Sequence, residues 1–191
     1  GFGQAEYATE QFSIFAQGAV STQSFQRDGR FIGTGDGLGK SEKVNKVGYQ
    51  IKGGASYSWD EKSTVFGNAG FFSRQPYLDN IFMDIRNSNM LVEPEVENEE
   101  ITGFEGGYRF KSSNFRLNVD VYYTEWANRF LASGGEDGTD PDNPVFFTDR
   151  FTNVTQVHQG FEFDFEYRPT LGGWRLRGYG SIGNWKFDGT T

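Results

Sequence analysis

Residues 47–59, VGYQIKGGASYSW, alternate between apolar and polar side chains almost without exception. The odd-numbered positions are Val47, Tyr49, Ile51, Gly53, Ala55, Tyr57 and Trp59. The even-numbered positions between them hold Gly, Gln, Lys and Ser. Successive side chains of a β-strand point to opposite faces of the sheet, so this pattern predicts a strand with one apolar and one polar face. Its length of about 13 residues is twice that of a usual strand, ~5–6 residues.

The same alternation returns along most of the chain. In segment 160–168, for example, aromatic residues at odd positions alternate with Gly, Glu, Asp and Arg at even positions. We predict eight strands, at 1–8, 12–20, 47–59, 64–73, 102–110, 115–123, 160–168 and 174–187. Aromatic residues make up 17% of the chain and there are 26 glycines, a composition that excludes a purely helical protein. The predicted fold class is all-β.

Short and long connections alternate between these strands. Tight turns are predicted at 9–10, 60–63, 111–114 and 169–173, and long polar connections at 26–46, 74–100 and 131–151. Because each strand reverses direction, strict alternation places all the tight turns at one end of the sheet and all the long connections at the other.

Aromatic residues of the apolar face gather beside the tight turns. They are Trp59, Phe110, Phe115, Tyr167 and Trp174. Aromatic rings at one depth of an apolar surface are typical of the girdle of a membrane protein at the lipid–water interface. Only a closed barrel leaves no unpaired strand edge in lipid, so we predict a transmembrane antiparallel β-barrel. The alternative is a soluble β-sandwich or jelly roll, in which the apolar faces form a core.

The direction of the strands predicts that residues 1–191 are part of a larger barrel. The first strand runs toward a tight turn and the eighth runs away from one, so both termini lie at the long-loop end. In bacterial outer-membrane barrels the long loops are extracellular. A complete barrel would then have both of its ends outside the cell, which is the reverse of the usual arrangement. We therefore expect these residues to be a window of a larger barrel, and an unusual complete eight-stranded barrel is the alternative.

Composition and motifs argue against several other functions. The chain has no cysteine, which excludes disulfides and thiolate metal sites. Its net charge of −8 argues against a basic face for nucleic acid, and we predict no nucleic-acid partner. Segment 33–41, GTGDGLGKS, ends like a phosphate-binding loop but has Thr34 where that motif requires Gly. The single histidine, without a Gly-x-Ser-x-Gly motif, supports no catalytic triad. We predict that the chain is not an enzyme and has no cofactor.

Four stretches together resemble the C-terminal half of the β-barrel of TonB-dependent outer-membrane receptors, particularly those of Bacteroidota-like bacteria. They are AEYATEQFSIFAQGAVS (5–21), STVFGNAGFFSRQPYLDNIF (63–82), ENEEITGFEGGYRFKSSNFRLNVDVYYTEWANRF (97–130) and VHQGFEFDFEYRP (157–169). The resemblance implies about eight strands of a 22-stranded barrel, with the N-terminal plug domain and the remaining strands absent from these residues.

The resemblance also implies a function and partners. Such receptors lie in the bacterial outer membrane and import a scarce solute, such as a ferric siderophore, with energy from TonB. The partners implied are TonB, through the missing plug region, outer-membrane lipid and lipopolysaccharide, and a small-molecule or metal-chelate substrate. This chain would supply part of the barrel wall and external loops. A soluble or surface all-β binding or adhesion module is the alternative.

Two candidate substrate-binding residues lie on the polar face of segment 157–168. His158 is at the loop end of its strand and could meet a ligand or metal complex, or bond to the plug or a neighbouring strand. Glu162 belongs to a carboxylate column with Asp164 and Glu166. In a cleft such a column suggests glycosidase chemistry, but a hydrated transport lumen explains it more simply.

Three further candidates lie near the end of the last long connection. Phe147, Asp149 and Arg150 combine aromatic surface with charge, which favours contact with a ligand. Carboxylates at Asp137, Asp140 and Asp142 suggest calcium without matching an EF-hand, and turn chemistry explains them equally well. The glutamates of 93–100 could attract cations, but a solvated loop is the simpler interpretation. No metal site is predicted.

Overall fold

The structure is a computed structural model that describes residues 1–31, 35–137 and 145–188, and for Asp137 and residues 145–147 it describes the backbone alone. The elements are β1 (Phe2–Ala8), β2 (Phe12–Phe25), β3 (Asp28–Gly29), β4 (Gly39–Lys40), β5 (Val44–Ser58), β6 (Ser63–Arg74), α1 (Leu78–Ile81), β7 (Glu99–Lys111), β8 (Phe115–Asp137), β9 (Val145–Tyr167) and β10 (Leu176–Asp188). No helix in these ranges is long and apolar enough to cross a membrane.

Eight of the strands form one antiparallel sheet in the order β1-β2-β5-β6-β7-β8-β9-β10. Each strand therefore pairs with the next long strand along the chain, as in a meander of hairpins. The eight predicted strands are confirmed. The remaining pair, β3 and β4, is a separate two-residue ladder inside the first long connection.

The tight turns are fixed by short side chains that bond to the backbone. The hydroxyl of Thr9 accepts a hydrogen bond from the N–H of Phe12 at 3.0 Å, and Ser112 does the same for Phe115 at 3.1 Å. The Asp60 carboxylate accepts from the N–H groups of Lys62 and Ser63. The bond from Lys62, with that from Ser63, holds the pKa of Asp60 below its ordinary value. These contacts explain why Thr, Asp and Ser mark the turns.

The register places all the apolar faces on the same side of the sheet. One cross-strand row joins Ile14 to Ala55, Ala55 to Gly67, Gly67 to Gly106 and Gly106 to Val121. Large side chains on this apolar face stay exposed: Ile51 by 63%, Phe104 by 54% and Val121 by 53%. A sandwich would bury them, and within the described ranges no second layer covers them. The structure therefore does not favour the soluble β-sandwich.

The aromatic residues at the tight-turn end pack together in pairs. The rings of Trp59 and Tyr108 stack with centroids 5.7 Å apart. Phe110 and Phe115 lie 6.1 Å apart across the next turn. Across the turn between β9 and β10, Tyr167 and Trp174 pack edge to face at 5.8 Å.

The prediction that residues 131–151 form a loop is wrong for most of the segment. β8 continues to Asp137 and β9 begins at Val145, so the two strands extend as a pair beyond Ala127, where the pairing of β8 with β7 ends. We call residues 128–137 and 145–154 the outer hairpin. Its side chains show no clear alternation of apolar and polar residues, and the sequence pattern therefore gave no strand signal.

A bend separates the outer hairpin from the sheet below it. The pairing register between β8 and β9 shifts between Trp126 and Arg129 and again before Leu131. Asn128 and Asn153 have φ values of 55° and 59°, in the left-handed region that asparagine tolerates better than most residues.

The other two long connections pack together, which corrects their interpretation as plain polar loops. We call residues 26–31, 35–43 and 75–98 the loop module. Its small core is formed by Ile81, Phe82, Val92 and Val96. Arg27 is buried beside this core, and its guanidinium donates to the carbonyls of Gly37, Ile85 and Arg86 and to the side-chain oxygen of Asn89, at 2.7–2.8 Å. One buried cation thus joins the two connections.

Candidate functional site

The polar face of the sheet carries the chemistry, and its loop end holds the densest group of side chains. His158 lies directly opposite Thr124 on β8 and Trp185 on β10. Its ring packs between Trp126, with centroids 5.9 Å apart, and Trp185, at 6.3 Å. The His158 Nε2 atom is buried without a hydrogen-bond partner among the described residues. His158 is thus held by flat rings on both sides.

A group of charged side chains adjoins these rings. Glu99 is buried and contacts the guanidinium of Arg74, while the Nε atom of Arg129 lies 4.0 Å from its other oxygen. The Arg129 guanidinium sits over the Trp126 ring at 5.0 Å and donates to the side chain of Gln156. Two cations therefore share one carboxylate, which leaves a local charge of +1 at neutral pH.

We call Arg74, Glu99, Trp126, Arg129, His158 and Trp185 the loop-end cluster. Of these six residues, only His158 is a site residue predicted from the sequence. Glu99 was interpreted as part of a solvated loop, and the structure shows it buried at the start of β7 instead. The useful signal was the alternation itself: extended by three residues before the predicted strand 102–110, it would have placed Glu99 on the polar face, opposite Arg74.

Glu162 lies on the same face as His158 but apart from it. Four residues separate them along β9, which corresponds to about 13 Å at the rise of a β-strand. Glu162 pairs across the sheet with Asp120 on β8 and with Ser181 on β10. In the next row the amide of Asn118 donates to both oxygens of Asp164, at 2.9 and 3.1 Å. The carboxylate column therefore lines the middle of the polar face, below the loop-end cluster.

The structure separates the candidates at residues 147–150. Arg150 pairs with Ala132 and Asp149 pairs with Ser133, so neighbouring side chains lie on opposite faces of the outer hairpin. Arg150 turns toward the loop module and donates to the carbonyl of Met83. Asp149 is exposed on the other face. The backbone of Phe147 pairs with that of Gly135, and the structure does not describe the Phe147 side chain.

The acidic loop at residues 137–142 falls largely outside the described residues, Asp140 and Asp142 entirely so. Elsewhere, in the ranges that the structure describes, no group of three or more His, Asp or Glu side chains is arranged to hold a metal ion.

Comparison with known proteins accounts for this architecture. A family model described as "TonB dependent receptor-like, beta-barrel" matches residues 1–191. Among solved structures, the chain is similar to "Copper transporter OprC", with a TM-score of 0.71 and 15% sequence identity. The match covers 95% of this chain and 28% of that protein, so the chain spans little more than a quarter of the length of this relative. At this identity the likeness shows the fold alone. The comparison with curated proteins gives no match.

The family model covers the whole chain, and the eight antiparallel strands of the chain carry one continuous apolar face. These two findings confirm the resemblance inferred from the sequence. The place of such a barrel is the outer membrane of Gram-negative bacteria. The chain belongs to the family of TonB-dependent receptor β-barrels.

Proposed function

We propose that the protein containing this chain imports a scarce solute across the outer membrane by TonB-dependent transport. The observation that carries the proposal is the segregation of the two sheet faces in a chain of the receptor family. The apolar face is exposed as a lipid-facing wall must be, and the polar face offers charged and aromatic side chains to an aqueous interior.

Within that protein, residues 1–191 would form part of the barrel wall and three external connections. β1 and β10 are the two edges of the described sheet, so further strands would continue it on both sides. The plug domain and the contact with TonB would be supplied by sequence outside this chain. Lipid would cover the apolar face, and lipopolysaccharide would surround its loop end.

The loop-end cluster is the proposed contact for the solute inside the barrel. His158 and the two tryptophans present flat rings, and the arginine pair gives a local positive charge. This combination suits a ring-bearing solute with an acidic group, a description that includes ferric siderophores. Glu162 would contact the solute deeper in the lumen. The outer hairpin would contact it before it reaches the loop-end cluster, through Phe147, Asp149 and Arg150.

A binding role is supported over catalysis. Glu162 and His158 are too far apart to act as an acid–base pair on one bond, because about 13 Å separates them along the strand. Members of the family are receptors and transporters.

Uptake by whole cells tests the proposal. The full receptor is expressed in a bacterium that lacks its own ferric-siderophore receptors, and accumulation of ⁵⁵Fe is followed with a panel of ferric siderophores. We expect uptake that disappears when TonB is deleted and that falls on the substitution His158→Ala. Asn184→Ala, on the apolar face of β10, is the matched control and should leave uptake unchanged. Uptake that persists without TonB would contradict the transport mechanism.

A further inference from the structure

A cleft separates the loop module from the outer hairpin. Its volume is about 490 Å³, and its walls are segment 79–87 on one side and four residues of the hairpin on the other. This volume falls within the range of small-molecule binding sites, ~300–1,000 Å³. The cleft lies outside the barrel wall, beyond the bend at Asn128, and is distinct from the loop-end cluster.

The wall formed by the loop module is held in place by its own hydrogen bonds. The Asp84 carboxylate accepts from the backbone N–H groups of Arg86 and Asn87, at 2.9 and 3.2 Å, and from the side chain of Asn87 at 2.9 Å. The Asn87 side chain, with these N–H groups, keeps the pKa of Asp84 below its ordinary value. Arg27 fixes the same segment from behind through the carbonyls of Ile85 and Arg86.

The opposite wall is one face of the outer hairpin. Phe130 and Ala132 share this face on β8, and Thr148 and Arg150 share it on β9, because Ala132 pairs directly with Arg150. Arg150 also donates to the carbonyl of Met83, so a hydrogen bond joins the two walls of the cleft. The two walls are therefore connected before any ligand arrives, which reduces the entropy lost on binding.

The charges that line the cleft balance. Asp79 and Asp84 contribute two carboxylates, and Arg86 and Arg150 contribute two guanidiniums. The cleft therefore has no excess charge of one sign that would concentrate anions or cations from solution. Its lining nevertheless mixes strong acceptors with strong donors, and the ring of Phe130 adds an apolar surface.

A hydroxyl group matches such a lining because it both donates and accepts hydrogen bonds. We propose that this cleft is a second binding site, on the outer side of the receptor, for a neutral, hydroxyl-rich solute of about disaccharide size. The site rests on the proposed function only in that the loop end faces the outside of the cell. Its ligand class differs from the acidic solute proposed for the loop-end cluster.

Binding to the purified full receptor in detergent tests the inference by isothermal titration calorimetry. The neutral probes are maltose, cellobiose, lactose and sucrose, and the charged probes are ferric citrate and spermidine. We expect at least one disaccharide to bind. Ala132→Trp fills the cleft and should abolish that binding, and Arg150→Ala should weaken it about tenfold. The charged probes should show no binding that Ala132→Trp removes.

Two matched variants control for damage to the fold. Ser133→Trp places the same ring on the opposite face of the hairpin, and Arg30→Ala removes an exposed arginine from the loop module. Both should leave disaccharide binding within about twofold of the parent. Failure of every disaccharide to bind, or binding that Ala132→Trp leaves intact, would overturn the site. Disaccharide binding without any TonB-dependent uptake would instead retain the site and contradict the transport proposal.

Discussion

The two halves of the hairpin formed by β8 and β9 differ in the regularity of their register and of their side-chain pattern. The lower half, residues 115–126 and 156–167, keeps one register throughout and separates apolar from polar side chains. The outer half is displaced by two register shifts and shows no such separation. In the lower half a different solvent meets each face, and this dictates the side chain at every position. In the outer half one face lies toward the loop module, and specific contacts such as that of Arg150 with Met83 decide the structure.

The largest effect is expected from a substitution on the apolar face of the lower half. Val121→Arg places a charge on the apolar face, in the middle of the lower half of β8, and should lower the free energy of unfolding by about 2–4 kcal/mol. The measurement is a guanidinium titration of the full receptor in phospholipid vesicles. Ser133→Arg, on the exposed outer hairpin, should change stability by less than about 0.5 kcal/mol. An equal loss of stability at the two positions would contradict the claim that lipid meets one face of the lower half alone.

The next effect concerns the loop module alone. Arg27→Ala removes four hydrogen bonds from a buried guanidinium and should destabilise the module locally by about 1–3 kcal/mol. Hydrogen exchange should then accelerate at residues 84–90 while β7 and β8 stay protected. Arg30→Ala, an exposed side chain of the same module, is the control and should not alter exchange. Loss of protection throughout the sheet would show that the module and the barrel wall are one cooperative unit.

A smaller effect is expected at the bend between the halves. Asn128 has a positive φ, so Asn128→Ala should cost about 1 kcal/mol, whereas Asn128→Gly should be tolerated. Exchange protection of the outer hairpin measures the difference. If alanine and glycine behave alike, the left-handed conformation is not required for the bend.

The smallest effect is a dependence on pH. The pKa of Asp84 is lowered in the folded module by its hydrogen bonds, so the ionised carboxylate stabilises the 84–88 turn above the unfolded pKa, ~3.9. That stabilisation should be lost as the pH falls from about 4 through the lower folded pKa. Hydrogen exchange of Ser88 in the parent should accelerate over this range, and Asp84→Asn should remove the dependence. An identical pH profile in both proteins would contradict the role of Asp84.

The strands of the sheet are well predicted from the sequence for a physical reason. Lipid on one side and water on the other impose a period of two, and Thr9, Asp60 and Ser112 mark turns through bonds to their own backbone. All eight strands and the common apolar face could therefore be derived from the pattern of residues.

The loop module, the outer hairpin and the loop-end cluster depend on contacts between residues far apart in sequence. Arg27 bonds to residues about 60 positions away, and nothing around it distinguishes it from a solvated arginine. Glu99 was mistaken for a loop residue because it follows a run of exposed acidic residues. Of the candidate site, His158 and Glu162 were placed on the polar face correctly, whereas the neighbours Asp149 and Arg150 were separated by an extended strand that the sequence did not reveal.

Solvent accessibility along β8 tests the central claim most directly. Because the chain has no cysteine of its own, single cysteines can be introduced from Leu117 to Ser133 of the full receptor, spin-labelled and studied in lipid vesicles. We predict that from 117 to 125 odd positions are accessible to oxygen dissolved in the lipid and even positions are not, and that this period of two ends beyond Asn128. Equal oxygen accessibility at odd and even positions of 117–125 would contradict the assignment of the apolar face to lipid.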